Sequence, residues 1–220
     1  NERFNFGLKG SKGWVYEGGI RVPMVIRYPN GLKANVVNDE LAHFTDWLPT
    51  LATLCGIDNI NELPLDGYDL SNQLKGEKLK KQPRRFWQWN FYYPSISTNA
   101  AIRDGNWKLV RPLIAGTRYY NNKNLHVSDE DTNRTAAFIE ADIKHREDPT
   151  SIIDLLKVPK IRYPNSEEPE LYNLADDPGE SEDVAKDNPE IVSKLLNDLE
   201  SWFESVENDR KKIDDPLHTE

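Results

Sequence analysis

One cysteine in 220 residues, Cys55 within Leu54-Cys55-Gly56-Ile57, excludes an internal disulfide and leaves the redox compartment undetermined. Long hydrophobic runs are also missing. No apolar stretch suffices to span a bilayer, and no signal-peptide-like apolar region stands near the start. Positive charge is in deficit: 28 Lys+Arg against 37 Asp+Glu give a net charge of −9, which argues against nucleic acid as the main partner. Histidine is scarce, and His126, His145 and His218 have no partner spacing for a metal, so no metal ligand is assigned in this chain. The chain opens on Asn1-Glu2-Arg3 without an initiator methionine, and its expected status is a fragment of a longer protein. What is present is enough for a core, at 37% hydrophobic with 10% aromatic, over a length that allows one or two domains.

The most informative segment is Gly10-Ser11-Lys12-Gly13-Trp14-Val15-Tyr16-Glu17-Gly18-Gly19-Ile20-Arg21-Val22-Pro23, which runs into the apolar stretch Met24 to Tyr28. Glycines let a backbone approach a ligand closely or adopt positive φ. A lysine on such a loop offers a point charge to a tetrahedral oxyanion, sulfate and phosphate alike. The same pattern also suits a solvated lysine in a tight turn, and residue chemistry alone does not separate the two.

The segment Lys12 to Pro23 resembles the lysine-glycine…tyrosine-glutamate-glycine-glycine-x-arginine-x-proline signature of the type I sulfatases, which include the arylsulfatases and the glycosaminoglycan sulfatases. Asp46-Trp47-Leu48-Pro49-Thr50-Leu51 resembles that family's helix start, and Leu65-Asp66-Gly67-Tyr68-Asp69-Leu70 its leucine-aspartate-glycine loop. Ala101-Ile102-Arg103-Asp104-Gly105-Asn106-Trp107-Lys108-Leu109 and Glu170-Leu171-Tyr172-Asn173-Leu174…Asp177-Pro178 follow in the family's order. The resemblance covers nearly the whole chain, but only the C-terminal part of the family pattern. The cysteine- or serine-x-proline-x-arginine motif, whose first residue becomes the formylglycine nucleophile, is absent from this sequence. So are the family's calcium aspartates.

The resemblance implies a fold of the α/β class: the C-terminal portion of an alkaline-phosphatase-like sulfatase domain, followed by a small α+β subdomain of antiparallel sheet and C-terminal helix. It implies a sulfuric ester hydrolase whose formylglycine and Ca2+ ligands lie upstream, so that this chain alone is inert. Lys12 is the implied catalytic residue, binding the sulfate. Trp14, His43 and Trp89 are candidate substrate-binding residues, each with a bland alternative: Trp14 packs under the loop, His43 supports the helix approach, and Trp89 belongs to a core-facing strand. The expected partner is a sulfated small molecule or glycan, with a sulfated sugar preferred, and the expected location of the full-length protein is periplasmic or secreted. A phosphate or phosphonate monoester hydrolase of the same superfamily and a non-catalytic sulfated-glycan-binding remnant remain open alternatives.

Along the chain, 1–76 is expected to end the large α/β domain, 77–84 to be a linker, 85–213 to form the small subdomain and 214–220 to be a tail. Met24 to Tyr28 reads as a buried strand. Asp46 reads as the N-cap of a helix whose Trp47, Leu48, Leu51, Leu54 and Cys55 share an apolar face, stopped at Gly56. Glu77 to Arg85 reads as a solvated basic stretch. Asp104-Gly105 between Asn99–Arg103 and Trp107–Arg111 signals a hairpin. Asn188-Pro189 opens an amphipathic helix in which Ile191, Leu195, Leu196, Leu199, Trp202, Phe203 and Val206 share a face. Residues 113–168 are longer than the family's usual return between strands, with helical spacing at Thr132 to Arg146 and at Ile152 to Leu156, and a sequon at Asn133. A substrate-facing lid and a surface decoration are equally open readings of this insertion.

Overall fold

The computed structural model describes residues 4–29, 31–57, 65–78, 82–90, 94–114 and 167–211, together with Ile143 and Arg146. By contact the chain forms two units, Asn1–Arg21 with Phe86–Glu220, and Val22–Arg85.

The first unit is built on a four-stranded sheet in chain order: β1 (Arg85–Gln88), β2 (Ala100–Asp104), β3 (Trp107–Arg111) and β4 (Glu170–Asn173). The expected hairpin forms: β2 and β3 pair antiparallel with Ile102 opposite Leu109, turning at Gly105-Asn106. β3 and β4 are also antiparallel, with Lys108 opposite Tyr172 and Leu109 opposite Leu171. Strand alternation sorts these residues onto two faces. Ala100, Ile102, Leu109 and Leu171 bury against Leu195 and Leu199 of a long helix, Pro189–Arg210. Full burial of each of these leucines contributes about 1.5–3 kcal/mol. Phe86 of β1 stacks on Trp202 of the same helix, ring centroids 4.9 Å apart. Proline at the helix's first turn has no amide to leave unsatisfied, which suits it to this start.

The opposite face carries Ala101, Val110 and Tyr172, and it is covered by Val15 and Tyr16 of the glycine-rich segment. The sequence grouping places that segment with residues up to 76. In the structure its packing partner is the sheet, because Val15 and Tyr16, each 2% exposed, find their apolar contacts there.

The second unit contains the helices Trp47–Cys55 and Ser71–Leu74. Met24 to Tyr28, expected as a buried strand, forms none, and Val25 is 94% exposed. A strand needs a neighbour to take up its backbone N–H and C=O groups, and no described residue pairs with this segment. The helix Trp47–Cys55 forms and ends at Gly56 in the left-handed conformation as expected, but its burial is reversed: Pro49, Thr50 and Ala52 are buried, while Leu48 and Leu51 are exposed. Asp46 does not cap it. Its carboxylate instead accepts hydrogen bonds from His43 N at 2.7 Å, Tyr68 N at 2.9 Å and Arg85 Nη2 at 2.8 Å. Arg85, expected in a solvated stretch, is therefore buried in an ion pair, with its guanidinium 4.7 Å from the Tyr68 ring. Burial pulls the Arg85 guanidinium down from its ordinary value, and the Asp46 charge opposes that pull. The helices expected at 132–146 and 152–156, and the sequon, lie outside the described residues except for Ile143 and Arg146, which are helical.

Candidate functional site

The glycine-rich segment is held on the sheet by polar anchors on both sides of Lys12. The first is at Lys9. Its ammonium donates to Glu170 Oε2 at 3.0 Å and to Tyr172 Oη at 2.7 Å, and lies 4.4 Å from the Tyr16 ring centre. Tyr16 Oη donates to the same carboxylate oxygen at 2.6 Å and Tyr172 Oη at 2.5 Å. Burial first, and then the hydrogen bond to the Glu170 carboxylate, push both phenols well above the usual tyrosine range. They stay protonated and act as donors. The Lys9 backbone N–H donates to Gly179 O at 3.1 Å, and the Lys9 carbonyl accepts from Gly18 N at 2.8 Å.

The second anchor is a buried charge cluster. Lys108, on β3 and 0% exposed, lies 2.9 Å from Glu17 Oε1 and 2.8 Å from Glu180 Oε1. The Glu180 contact is ionic rather than an aligned hydrogen bond. The other Glu180 oxygen accepts from Glu17 N at 2.6 Å, at the start of the single turn Glu17–Ile20. Glu180 reaches there from a left-handed backbone conformation, φ +56°, uncommon for a residue with a side chain. Burial raises the Glu180 carboxyl above its ordinary value, with Lys108 pulling in the opposite direction.

Glycine is required where the segment folds on itself. A Cβ on Gly19 would stand 2.1 Å from the Trp14 carbonyl oxygen, a distance no side chain tolerates. Gly13, directly after Lys12, adopts φ +85°.

Lys12 itself is exposed on this fixed loop. Trp14 is half-buried, its ring 5.9 Å from that of Tyr16 and tilted by 42°. Trp89 follows β1 and is 40% exposed, so the core-facing reading of this residue does not hold. Its backbone is tied to the Lys12 loop: Asn99 Nδ2 donates both to Gly13 O at 2.9 Å and to Trp89 O at 2.7 Å. Through Asn99 the structure thus joins the backbone of the loop that carries Lys12 and Trp14 to the backbone of Trp89. His43 lies in the other unit, where it is the N-cap of the short helix Phe44–Asp46 with Nδ1 2.9 Å from Thr45 Oγ1. That is a local capping role.

Lys108, Glu17, Glu180, Lys9, Glu170 and Asn99 were not singled out from sequence. Glu180 lies just past the Asp177-Pro178 pair, where nothing local in the sequence marks it for burial. For Lys108, the glutamate of the signature was the one available hint, and it lies 91 residues away.

Among the described residues no group of three or more His, Cys, Asp or Glu is arranged to hold a metal ion. The acidic groups nearest Lys12's loop already face Lys108 and Lys9. These residues do not fit a calcium centre.

The sheet, helix and lysine-bearing loop define a sulfatase-type C-terminal subdomain. Residues 7–126 match the family model described as N-sulphoglucosamine sulphohydrolase, C-terminal, and the chain belongs to that family. It is 31% identical to arylsulfatase A of Homo sapiens, covering 86% of this chain and 31% of that protein, and 27% identical to arylsulfatase J of Mus musculus, covering 96% and 34%. The chain therefore spans about a third of the length of these curated relatives. A solved structure from work on the metabolism of multiple glycosaminoglycans by Bacteroides thetaiotaomicron superposes with a TM-score of 0.54 at 25% identity, over 89% of this chain and 32% of its own.

Proposed function

We propose that this chain is the C-terminal part of a sulfatase that hydrolyses sulfate monoesters, with a sulfated sugar as substrate and Lys12 as the sulfate-binding cation. In this reading the nucleophile, a formylglycine, and the calcium ligands belong to upstream sequence. The full-length protein is exported to the periplasm or outside the cell. The observation that carries the proposal is an exposed lysine on a loop fixed to the sheet from both sides, in a chain of sulphohydrolase family membership. A cation held in place before charge develops loses no reorganisation energy when a sulfate oxygen or leaving alkoxide becomes more negative. Trp14 and Trp89 beside it offer flat apolar surface to a sugar ring. The glycosaminoglycan context of the Bacteroides structure supports a carbohydrate ester over a lipid or steroid one.

The test is Lys12→Ala in the protein with its upstream sequence. Removing one preorganised donor typically costs about 2.7–4 kcal/mol of barrier stabilisation, roughly 10²–10³ in rate. Turnover of an aryl sulfate should fall at least about tenfold while the circular dichroism spectrum is unchanged. Activity within about twofold of the parent, or faster hydrolysis of the matching aryl phosphate than of the sulfate, would overturn the assignment.

A further inference from the structure

Asn99 is fully buried, and its backbone is left-handed at φ +49°, the residue before β2 begins. Both hydrogens and the oxygen of its amide are engaged. Oδ1 accepts from Val15 N at 3.1 Å, and the two Nδ2 hydrogens go to Gly13 O at 2.9 Å and Trp89 O at 2.7 Å. The orientation is fixed by this pattern, since a flipped amide would set oxygen against two carbonyls and nitrogen against an N–H donor. The two loop groups it holds, Gly13 O and Val15 N, flank Trp14. Asn99 therefore clasps the tryptophan's backbone as a neighbouring strand would, two residues beyond Lys12. Its own main chain completes the join, with Trp89 N donating to Asn99 O at 3.1 Å and Asn99 N to Pro112 O at 3.2 Å.

We infer that Asn99 is the positioning residue that sets Lys12, Trp14 and Trp89 relative to one another for a single sulfated sugar, an inference that rests on the sulfate-pocket reading of Lys12. Residue chemistry restricts the position: asparagine and glycine visit the left-handed region readily, and of these only asparagine supplies the three side-chain bonds. Glycine therefore removes the clasp while keeping the backbone, and Asn99→Gly is the informative variant. Asn99→Asp keeps the size but turns an oxygen toward the Gly13 and Trp89 carbonyls, so it should behave like the glycine variant.

The experiment is a double-mutant cycle in the protein with its upstream sequence, comparing parent, Lys12→Ala, Asn99→Gly and the double variant on an aryl sulfate. It is read alongside hydrogen exchange at the Val15 amide. Asn99→Gly alone should lower kcat at least about tenfold, because misplacing a catalytic group by about 1 Å costs on the order of 10²-fold. In the Lys12→Ala background the same change should cost less than about threefold more, since a misplaced loop has no cation left to misplace. Val15 exchange should accelerate while the Leu109 and Leu171 amides hold. A damaging Lys12→Ala combined with effects that simply multiply, or with unchanged Val15 exchange in Asn99→Gly, would overturn the role of Asn99 alone. A silent Lys12→Ala would overturn the pocket reading and the positioning role together.

Discussion

Replacing Lys108 by methionine keeps a long, flexible side chain of similar volume and deletes the ammonium with its charge and hydrogen-bond donors, so the cost of that change measures the buried cluster. Lys108 is inaccessible to solvent and sits 2.9 Å from Glu17 and 2.8 Å from Glu180. At an effective dielectric near 20, an ion pair at such a distance is worth roughly 5–6 kcal/mol before desolvation. The folded chain recovers only part of this, because three charged groups were taken out of water to form the cluster. Removing the lysine leaves two carboxylates facing each other without a counter-charge. Loss of one partner from a buried pair costs about 3–5 kcal/mol. For a chain of this size each kcal/mol moves the melting temperature by roughly 2–4 °C, which gives a fall of about 6–20 °C. Tryptophan fluorescence is a suitable monitor, since the Trp87 ring centre is 5.9 Å from Lys108 Nζ. Adding Glu17→Gln and Glu180→Gln to the methionine variant should recover most of the loss, because hydrogen-bonding amides then replace uncompensated charges. A Lys108→Met protein melting within about 2 °C of the parent would mean that the ion cluster is not what holds the signature loop on the sheet.

Glu180 and Asp46 extend the same reasoning. Burial raises the Glu180 carboxyl above its ordinary 4.5 in the folded state. The folded chain therefore holds this proton more readily than the unfolded chain, and the stability it carries is full below pH 4.5 and lost as pH rises through the raised value. The parent-minus-Glu180→Gln difference in unfolding free energy should accordingly decline from pH 4.5 toward neutrality, and a difference that grows with pH would refute the assignment. In the other unit, Asp46→Ala removes a fully buried acceptor of three hydrogen bonds and leaves Arg85 buried without its counter-ion. It should cost about 3–5 kcal/mol, read as faster hydrogen exchange at the Tyr68 amide. Unchanged exchange there would show that the loop around Tyr68 is held by other contacts.

Where local signals decide the structure, the sequence was readable. Asp104-Gly105 between apolar segments marks a turn whatever surrounds it, and the β2–β3 hairpin follows. The apolar stripe of the last helix is written at helical spacing, and Leu195 and Leu199 are buried as that spacing requires. Trouble came where burial depends on a distant partner. Met24 to Tyr28 has the composition of a buried strand, but composition cannot supply the neighbouring strand. Asp46, before an apolar helix, looks the same whether it caps that helix or receives Arg85 from 39 residues away. Lys108 stands in a polar-looking position between Trp107 and Leu109, and alternation alone would put it in water. Its burial follows from a glutamate in the signature and another beyond β4, residues brought together only by the fold. The signature lysine was legible as a candidate from its glycines. The anchors that fix it were not, because each joins segments far apart in the chain.

The chain carries a net charge of −9, but the carboxylates that reach the glycine-rich loop are paired. The carboxylates that reach the loop, Glu170, Glu17 and Glu180, face Lys9 and Lys108 at 2.8–3.0 Å, so most of their field is cancelled within the cluster. On the same sheet face burial lowers the Arg103 guanidinium from its ordinary value, with the charges of Glu17 and Glu180 opposing that shift and Arg21 adding to it. Lys12 lies on the exposed part of the loop. A surface lysine among free carboxylates would be screened by its neighbours before a sulfate could reach it. Here those carboxylates are matched by the buried Lys108 and the half-buried Lys9, which limits such screening at the loop. The tyrosines of the first anchor contribute as well. Tyr16 and Tyr172, held protonated, donate to Glu170 and, together with Lys9, satisfy that carboxylate.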